Sequence, residues 1–537
     1  MKSSRPLLLH FQNDTIQAFL SGFLLVLSFP NPLNVLTSYF PSGILAWIAL
    51  VPFFLSLEGK TPLESLRHGW VTGFIAFMGI LYWVIIAMNH YGGIPIPISL
   101  IILIALALYL GLYVGAFAAL ISLVRWKTGW SVLGLAPPLW VALEYLRSIL
   151  LTGFPWENLG YSQYLALPVI QIADVTGVYG ISCLVILING LISVGVLQLR
   201  STGKIPWRIA LFALVLLGIV MAYGSVRIRQ ENSRTSTQKP IEIGIVQGNI
   251  DQSVKWEPAY QKETIGIYKT LTQDLAERRP DLIIWPETAV PFFFPFDEPF
   301  SPIVRKVPSE SKTYLLFGSP FYQKEKDRIR YLNSAYLLSP DGEIGGRYDK
   351  IHLVPFGEYV PLSGFLPFIR PLVESVGDFV SGSETRGTVV FSTPGGRFGV
   401  LICYETIFPD LNRRFIRKGA DFLVTITNDA WFGKTSAPFQ HFSMATFRAV
   451  ENRAYVARAA NTGISGIIDS MGRIVLQTEI FSRQAVTGKI FLRGPETFYT
   501  RYGDVFAYVC LGWSLLLIGG AYALGERRCS SDRNPVG

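Results

Sequence analysis

The chain has 537 residues, of which 50% are hydrophobic and only 16% are charged, and its mean hydropathy is +0.37. A typical soluble protein has about 25% charged residues, and a single core rarely serves more than about 300 residues. The composition therefore excludes one soluble domain and predicts a membrane protein with a substantial water-soluble part. The net charge of +9 does not predict nucleic-acid binding, because no basic stripe alternates with aromatic residues.

Apolar segments recur through the first 223 residues and once more near the C-terminus. Because about 20 apolar residues span a bilayer, we predict about eight transmembrane helices. The predicted spans are 14–29, 42–58, 68–89, 95–124, 131–151, 168–197, 206–223 and 504–524. The long fourth segment is expected either to tilt or to break near Gly111 and Gly115.

Basic residues mark one side of this predicted bundle. Lysine or arginine occurs before span one, between spans two and three, after span four, between spans six and seven and after span eight. The alternate short loops, 30–41, 90–94 and 152–167, contain neither residue. By the positive-inside rule the basic side is the cytoplasm. We therefore expect both termini in the cytoplasm and residues 224–503 on the outer face of a bacterial inner membrane.

Two features of the predicted spans each have two readings. The first segment is either an uncleaved span or a cleaved signal peptide, and residues 28–30 offer no small-residue cleavage site, which favours the span. Glu144 and Arg147 lie three residues apart on one predicted helix face. They either pair with each other or serve a substrate, as ionisable residues within a membrane often do.

The sequence changes character at Arg227, where a polar stretch, 227–240, predicts a linker. Strands are predicted at 241–246, 281–285, 313–318, 334–339, 398–403, 421–427, 463–469 and 485–491, and helices at 258–278 and 442–459. Apolar strands without clean alternation predict a sheet covered on both faces, and so an α/β domain. The chain then divides into a membrane domain at 1–226, a catalytic domain at 227–503, and a C-terminal span and short tail at 504–537.

Three strand ends in the α/β domain have residues suited to nucleophilic catalysis. Glu287 follows a strand and Pro286, Lys350 follows a Gly-rich turn, and Cys403 ends another strand. Cys403 is the only cysteine of four in the soluble-looking region, and no CxxC or His-rich spacing predicts a metal site. Each residue alone is as readily structural, but together they predict a thiolate nucleophile, a general base and acid, and an oxyanion stabiliser. The predicted chemistry is acyl transfer through a cysteine thioester.

These motifs, in this order, resemble the nitrilase or carbon–nitrogen hydrolase superfamily over about residues 240–492. Lys350 stands in DKIHLVPFGE, Cys403 in a strand followed by Tyr and Glu, and the segment NDAWFG follows. The resemblance implies an α-β-β-α sandwich with a Glu–Lys–Cys triad. With its apolar segments, the whole chain resembles the membrane branch of that superfamily, the apolipoprotein N-acyltransferase family.

That resemblance implies a two-step reaction that needs no cofactor and no metal. A phospholipid, typically phosphatidylethanolamine, donates an acyl chain to Cys403. The α-amino group of a diacylglyceryl-cysteine at the N-terminus of an apolipoprotein then attacks the thioester. We expect a monomer with no nucleic-acid partner.

The resemblance also implies supporting residues around the triad. Glu358 is expected to position Lys350, and Tyr404 and Glu405 to support the nucleophile. Trp256 is a candidate for substrate contact. Glu405 is equally expected to be structural, and Trp256 equally to be a packing residue.

Two aromatic stretches, 291–300 and 354–373, either lie on the membrane and guide an acyl chain or pack the domain. Two other functions compete with acyl transfer to an amine. The first is a membrane-tethered amidase or nitrile hydrolase, for which a single anchoring helix would suffice. The second is a scaffold with an inactive domain, which the intact triad disfavours.

Overall fold

The computed structural model describes residues 7–31, 42–325, 328–355, 357–359, 379–382 and 386–531. The chain forms two compact units. One, the helical unit, consists of Met1–Tyr82, Pro97–Arg227 and Asp504–Gly537. The other, the sandwich unit, consists of Trp83–Ile96 and Ile228–Gly503.

Helices build the helical unit. With their full bounds they are Leu7–Ser28, Ala46–Ala49, Val51–Ser56, Pro62–Ile80, Ile96–Thr128, Val132–Ile149, Leu167–Ile170, Ala173–Thr176, Val178–Thr202, Trp207–Ser236 and Val505–Ser531. Tight 3-10 turns lie at Ser42–Leu45, Leu150–Thr152 and Leu159–Gln163. Many large apolar side chains remain uncovered on these helices, as hydrocarbon surroundings permit.

Four helices of the described chain are long and apolar enough to cross a membrane. They are Ile96–Thr128, Val178–Thr202, Trp207–Ser236 and Val505–Leu524. A fifth is added if Pro62–Ile80 and Trp83–Tyr91 form one span. Asp14–Ser28 and Ser42–Ser56 are apolar but shorter. The helices fit the predicted membrane protein.

The predicted span 168–197 is wrong at its start. Two short helices precede it, and Gly177, with φ +62°, separates them from the long helix Val178–Thr202. The predicted break near Gly111 and Gly115 is absent, because Ile96–Thr128 is one continuous helix. A Cβ at Gly111 would lie 3.0 Å from the backbone nitrogen of Phe74, so glycine here allows two helices to approach closely.

Glu144 and Arg147 are both buried, but no ion pair joins them in the described part of the chain. Glu144 Oε1 accepts hydrogen bonds from Trp140 Nε1 at 2.9 Å and from the Leu159 N–H at 2.7 Å. Arg147 Nη1 donates to the Trp156 carbonyl at 2.9 Å. Both side chains therefore hydrogen-bond to the connection that follows their helix, which supports a structural role for them.

Two six-stranded sheets form the centre of the sandwich unit. The strands are β1 (Ile241–Gln247), β2 (Leu282–Ile284), β3 (Tyr314–Glu325), β4 (Arg328–Leu338), β5 (Ile344–Asp349), β6 (Val390–Thr393), β7 (Gly396–Ile402), β8 (Phe422–Thr427), β9 (Val456–Ala460), β10 (Gly466–Ile468), β11 (Ile474–Gln477) and β12 (Gln484–Ile490). The orders are β12-β1-β2-β3-β4-β5 and β11-β10-β9-β8-β7-β6. Strands β1, β2 and β3 are parallel, as are β7, β8 and β9, and the other neighbours are antiparallel.

Helices cover the outer faces of both sheets. Pro258–Ala276 and Ser301–Ser311 pack on the first sheet, and Pro409–Arg417 and Ala437–Asn452 pack on the second. The sheets face each other, because β1 contacts β9 and β4 contacts β7. The predicted α-β-β-α sandwich is confirmed. Shorter helical segments of the unit are Trp83–Ile86, Ala87–Tyr91, Cys403–Ile407, Asp429–Phe432 and Phe498–Tyr502.

The predicted linker 227–240 is wrong, because the helix Trp207–Ser236 continues through most of it. The end of this helix, from Ile228 onward, belongs to the sandwich unit and is hydrogen-bonded within it. Glu231 accepts a hydrogen bond from the Ser470 hydroxyl at 3.0 Å, and Arg234 Nη1 donates to the Leu492 carbonyl at 2.6 Å. Polar composition here reflects specific contacts.

The predicted helix 442–459 is also wrong in its second half. The helix Ala437–Asn452 ends where Arg453 adopts φ +48°, and the next residues form β9. This strand lies within the second sheet and is buried along its whole length. Burial between β8 and β10 overrides the helical propensity of its alanines.

Candidate active site

The turn after β2 positions the Glu287 carboxylate. The Gly318 N–H donates to the Pro286 carbonyl at 3.1 Å, so the turn lies directly against β3. A Cβ at Gly318 would lie 2.7 Å from the Glu287 Cα, so glycine permits this close approach. Parallel strands place their carboxyl ends at one edge of a sheet, and Glu287 lies at that edge.

Lys350 follows β5, and its ammonium lies between two carboxylates. Its Nζ is 2.9 Å from Glu358 Oε1 and 3.6 Å from Glu287 Oε1. Burial disfavours the charged form of Lys350, but Glu358 and Glu287 outweigh this effect and raise its pKa above the usual value. Lys350 is therefore a permanent cation at neutral pH, and its charge is suited to stabilising an oxyanion.

Asn333 joins the two carboxylates, and no local sequence pattern marks this residue. From the middle of β4, its Nδ2 donates to Glu287 Oε1 at 2.8 Å and to Glu358 Oε1 at 2.9 Å. The Asn333 carbonyl also accepts a hydrogen bond from the Lys350 N–H at 2.8 Å. One residue thus fixes both acidic groups and the start of the lysine segment.

Cys403 follows β7 at the carboxyl edge of the second sheet. Its φ of +52° is unusual for a residue with a side chain and turns the chain sharply into a 3-10 segment. The residue as a whole is half-buried. Burial raises the pKa of Cys403 to about 12, Glu287 adds to this rise, and Lys350 opposes it. The resting group is therefore a thiol, and its activation requires a base.

Glu405 connects the cysteine turn to the lysine segment. Its Oε1 accepts hydrogen bonds from the Tyr348 hydroxyl at 2.8 Å and from the N–H groups of Ile351 at 2.6 Å and His352 at 3.1 Å. Its Oε2 accepts from the Ile402 N–H at 2.7 Å. Burial raises the pKa of Glu405 to about 7, although these donors oppose the rise. Both oxygens are occupied by structural contacts.

The remaining predicted residues lie in different surroundings. Tyr404 is buried, and its ring packs edge-on against Phe408 at 5.1 Å between centroids. Trp256 is 46% exposed, which disfavours a core-packing role. Trp256 lies at the end of a loop in which two other residues, Gln252 and Lys255, contact groups of the site.

Two of those loop residues, Gln252 and Lys255, were missed by sequence reasoning. The ammonium of Lys255 is fully buried and donates to the Glu287 carbonyl at 3.2 Å. Burial lowers the pKa of Lys255 to about 7, although Glu287 opposes the change. The Asn428 N–H donates to Glu287 Oε2 at 2.9 Å, and Asn428 Nδ2 donates to Gln252 Oε1 at 2.6 Å. Both oxygens of the Glu287 carboxylate are therefore held in place.

The aromatic stretch 291–300 serves mainly as core. Phe292 and Phe294 are buried in the cluster around Trp285, which supports the packing alternative for them. Phe296 is 49% exposed and lies against Tyr322 at 4.8 Å between ring centroids. Most of the second stretch, 354–373, lies outside the described residues.

Two family models and several relatives of known name match this chain. The Apolipoprotein N-acyltransferase N-terminal domain matches residues 21–191, and the Carbon-nitrogen hydrolase domain matches residues 242–493. The chain is 45% identical to the Apolipoprotein N-acyltransferase of Geobacter metallireducens over 516 residues, 95% of this chain and 96% of the relative. It is 34% identical to the Pasteurella multocida enzyme of that name over 526 residues, 96% of each chain.

A sandwich that places a carboxylate, a lysine and a cysteine at its strand ends defines an enzyme of the carbon–nitrogen hydrolase superfamily. The similarity to full-length relatives, membrane segments included, narrows this class. The chain belongs to the apolipoprotein N-acyltransferase family and is an acyltransferase. The family prediction is confirmed, and the comparisons do not favour the amidase alternative.

Proposed function

We propose that this acyltransferase moves an acyl chain from a phospholipid to Cys403 and then to the α-amino group of the N-terminal diacylglyceryl-cysteine of an apolipoprotein. The proposed phospholipid donor is phosphatidylethanolamine. One observation carries the proposal. Glu287 and Lys350 lie 3.6 Å apart, and the charges of both act on the Cys403 thiol. A base, a fixed cation and a nucleophile are the parts that acyl transfer needs.

In the first step, Cys403 Sγ attacks the ester carbonyl carbon of the phospholipid. Glu287 takes the thiol proton as the S–C bond forms, because a free thiolate is disfavoured at this site. The Lys350 ammonium stabilises the developing oxyanion. The ester C–O bond breaks, and Glu287 returns the proton to the lysophospholipid oxygen.

In the second step, the neutral α-amino nitrogen of the apolipoprotein attacks the thioester carbon. The N–C bond forms, Glu287 accepts an amine proton, and the C–S bond breaks. The proton then restores the Cys403 thiol, so the enzyme returns to its starting state with no net proton change. Exclusion of water from the thioester favours the amine over hydrolysis.

The supporting residues divide into two groups. Glu358, bound to both Lys350 and Asn333, positions the lysine. Glu405, with both oxygens occupied by structural donors, holds the nucleophile turn. Tyr404 supports that turn by packing, and exposed Trp256 contacts substrate.

The proposed architecture follows from the charge pattern. Eight spans divide the chain into a membrane domain at 1–226, a catalytic domain at 227–503 and a final span and tail at 504–537. Both termini lie in the cytoplasm, and the catalytic domain faces outward from the bacterial inner membrane as a monomer. Alternating basic loops support this orientation.

Intact-mass spectrometry tests the chemistry. The purified full chain is incubated with phosphatidylethanolamine, alongside Cys403→Ala and the matched control Cys183→Ala. We expect one acyl chain of added mass that neutral hydroxylamine removes in the wild type and in Cys183→Ala, and no addition in Cys403→Ala. A diacylglyceryl peptide with a free amino terminus should discharge the adduct. Absence of an adduct, together with hydrolysis of a small amide, would overturn the proposal.

Labelling in spheroplasts tests the orientation. A single cysteine replaces exposed Trp256 or exposed Lys204 in a background without native cysteines. An impermeant maleimide should modify the first variant from outside and the second only after lysis. The reverse pattern would contradict the proposed topology.

A further inference from the structure

A buried polar network contacts the backbone of the nucleophile, and the reaction proposed above does not use it. His441 Nε2 lies 3.1 Å from the Cys403 carbonyl oxygen. On the other side of the ring, His441 Nδ1 lies 2.9 Å from Arg458 Nη2 and 3.2 Å from Asp429 Oδ1. Arg458 Nη2 also donates to Asp429 Oδ2 at 2.7 Å. All three side chains are fully buried.

The partners determine where the imidazole proton lies. A carbonyl oxygen only accepts, so Nε2 must have the hydrogen that points to Cys403. A guanidinium only donates, so Nδ1 presents its lone pair to Arg458 in the shorter of its two contacts, at 2.9 Å. Asp429 Oδ1, at 3.2 Å from Nδ1, accepts its hydrogen bond from the Thr427 hydroxyl at 2.8 Å instead. Burial and Arg458 lower the pKa of His441, although Asp429 opposes this change. The lowered pKa keeps the ring neutral. The network thus assigns the neutral Nε2–H tautomer.

The hydrogen bond falls where the chain is strained. The φ of +52° at Cys403 is costly for a residue with a Cβ and persists only if the surroundings impose it. Glu405 holds the preceding residue through the Ile402 N–H, and His441 holds the carbonyl that follows the Cys403 Cα. The strained residue is therefore held on both sides.

Fixing this carbonyl also fixes the next N–H. In a trans peptide the C=O and N–H bonds point in opposite directions. With the Cys403 carbonyl directed at His441, the Tyr404 N–H is directed the opposite way. A flip of this peptide would exchange the two groups and bring a carbonyl oxygen to the position of the N–H. For a developing oxyanion, that would replace a donor with a repulsive acceptor.

We propose that His441 is a positioning residue for acyl transfer: its Nε2–H holds the Cys403–Tyr404 peptide so that the nucleophile and the following N–H keep their reactive orientation. The inference rests on the proposed role of Cys403. Asp429 and Arg458 act indirectly, through His441, because they fix the tautomer and the plane of its ring.

A matched pair of substitutions separates this role from simple packing. The amide of His441→Asn lies where Nδ1 lies, so it keeps a partner for Arg458 and loses the bond to Cys403. The amide nitrogen of His441→Gln reaches the position of Nε2 and restores that bond. Both variants are made in the full chain, purified in nanodiscs, and compared with wild type for thermal unfolding.

The decisive measurement is single-turnover acylation by a phospholipid with a fluorescent acyl chain. We expect His441→Asn to lower the maximal acylation rate about ten- to hundred-fold with an unchanged half-saturating phospholipid concentration, as expected for a nucleophile displaced by a fraction of an ångström. His441→Gln should recover most of the rate at similar thermal stability. Acylation of His441→Asn within about twofold of wild type would overturn the inference. Equal losses in both variants, in proportion to lost stability, would also overturn it.

Failure of the proposed function gives a different result. If wild-type protein formed no acyl adduct, the thioester reaction itself would be refuted. The rate of Cys403 alkylation by iodoacetamide would still test the positioning role of His441. A changed rate in His441→Asn that His441→Gln restores supports positioning, and an unchanged rate overturns it.

Discussion

Replacing Lys255 with methionine should make the protein more stable at neutral pH. The Lys255 ammonium is fully buried, and its pKa falls from 10.5 to about 7. At about 1.4 kcal/mol per pKa unit, this change corresponds to a cost of about 5 kcal/mol for the charged form in the folded protein. The lost hydrogen bond to the Glu287 carbonyl offsets about 1 kcal/mol of the gain.

The sign of the pH dependence follows from proton counting. Between about pH 7 and pH 10.5 the unfolded chain binds a proton at Lys255 that the folded chain does not bind. Stability rises with pH wherever the unfolded state binds more protons, so this residue makes wild-type stability rise across that window. Below pH 7 both states are protonated, and the full cost applies. The advantage of Lys255→Met should therefore be greatest at and below about pH 7 and vanish near pH 10.5.

Thermal unfolding of the full chain in one detergent at several pH values provides the assay. At pH 7 we expect Lys255→Met to raise Tm by at least about 5 °C, because 1 kcal/mol shifts Tm by about 2–4 °C in a domain of this size. Exposed Lys262 provides the matched control, and Lys262→Met should leave Tm nearly unchanged at every pH. A lower Tm for Lys255→Met at pH 7, or a difference constant from pH 7 to 10, would refute the reasoning.

Three further predictions concern the site. Glu358→Ala should lower the acylation rate at least about a hundredfold in the single-turnover assay, because Lys350 loses the carboxylate 2.9 Å away. A rate within about threefold of wild type would contradict the positioning role of Glu358. Gly318→Ala should destabilise the protein by about 1–3 kcal/mol and slow acylation, because a Cβ would lie 2.7 Å from Glu287 Cα; an unchanged Tm would exclude this contact. Glu405→Gln should lower the free energy of unfolding by about 1–3 kcal/mol, because its amide would face backbone N–H donors; retention of wild-type stability in denaturant titration would show that the contacts are dispensable.

Residues at strand ends were the part of the site that the sequence could predict. Glu287, Lys350 and Cys403 each follow a recognisable apolar run, and strand ends meet at sheet edges. Asn333 lies in the middle of β4 and His441 within a helix, so no local sequence pattern distinguishes either position as part of the site. Their importance arises from contacts with residues 25 to 46 positions away.

The fold was predictable where local pattern and tertiary surroundings agree. The first strand and the helix Pro258–Ala276 match the sequence prediction closely, since burial and periodicity point the same way there. Where they disagree, packing decided the outcome. The buried strand β9 formed from an alanine-rich helical pattern, and the helix Trp207–Ser236 extended through a polar stretch because Glu231 and Arg234 found partners.

The three proposed catalytic groups come from both sheets of the sandwich. Glu287 and Lys350 follow strands of the first sheet, whereas Cys403 follows a strand of the second. During synthesis the proposed base and cation are therefore made before the proposed nucleophile, and neither sheet alone holds all three groups. Until the sheets close, Cys403 lies apart from the proposed base and cation, so the proposed acyl transfer cannot begin. Acylation of Cys403 by a phospholipid therefore also reports that the sandwich has assembled.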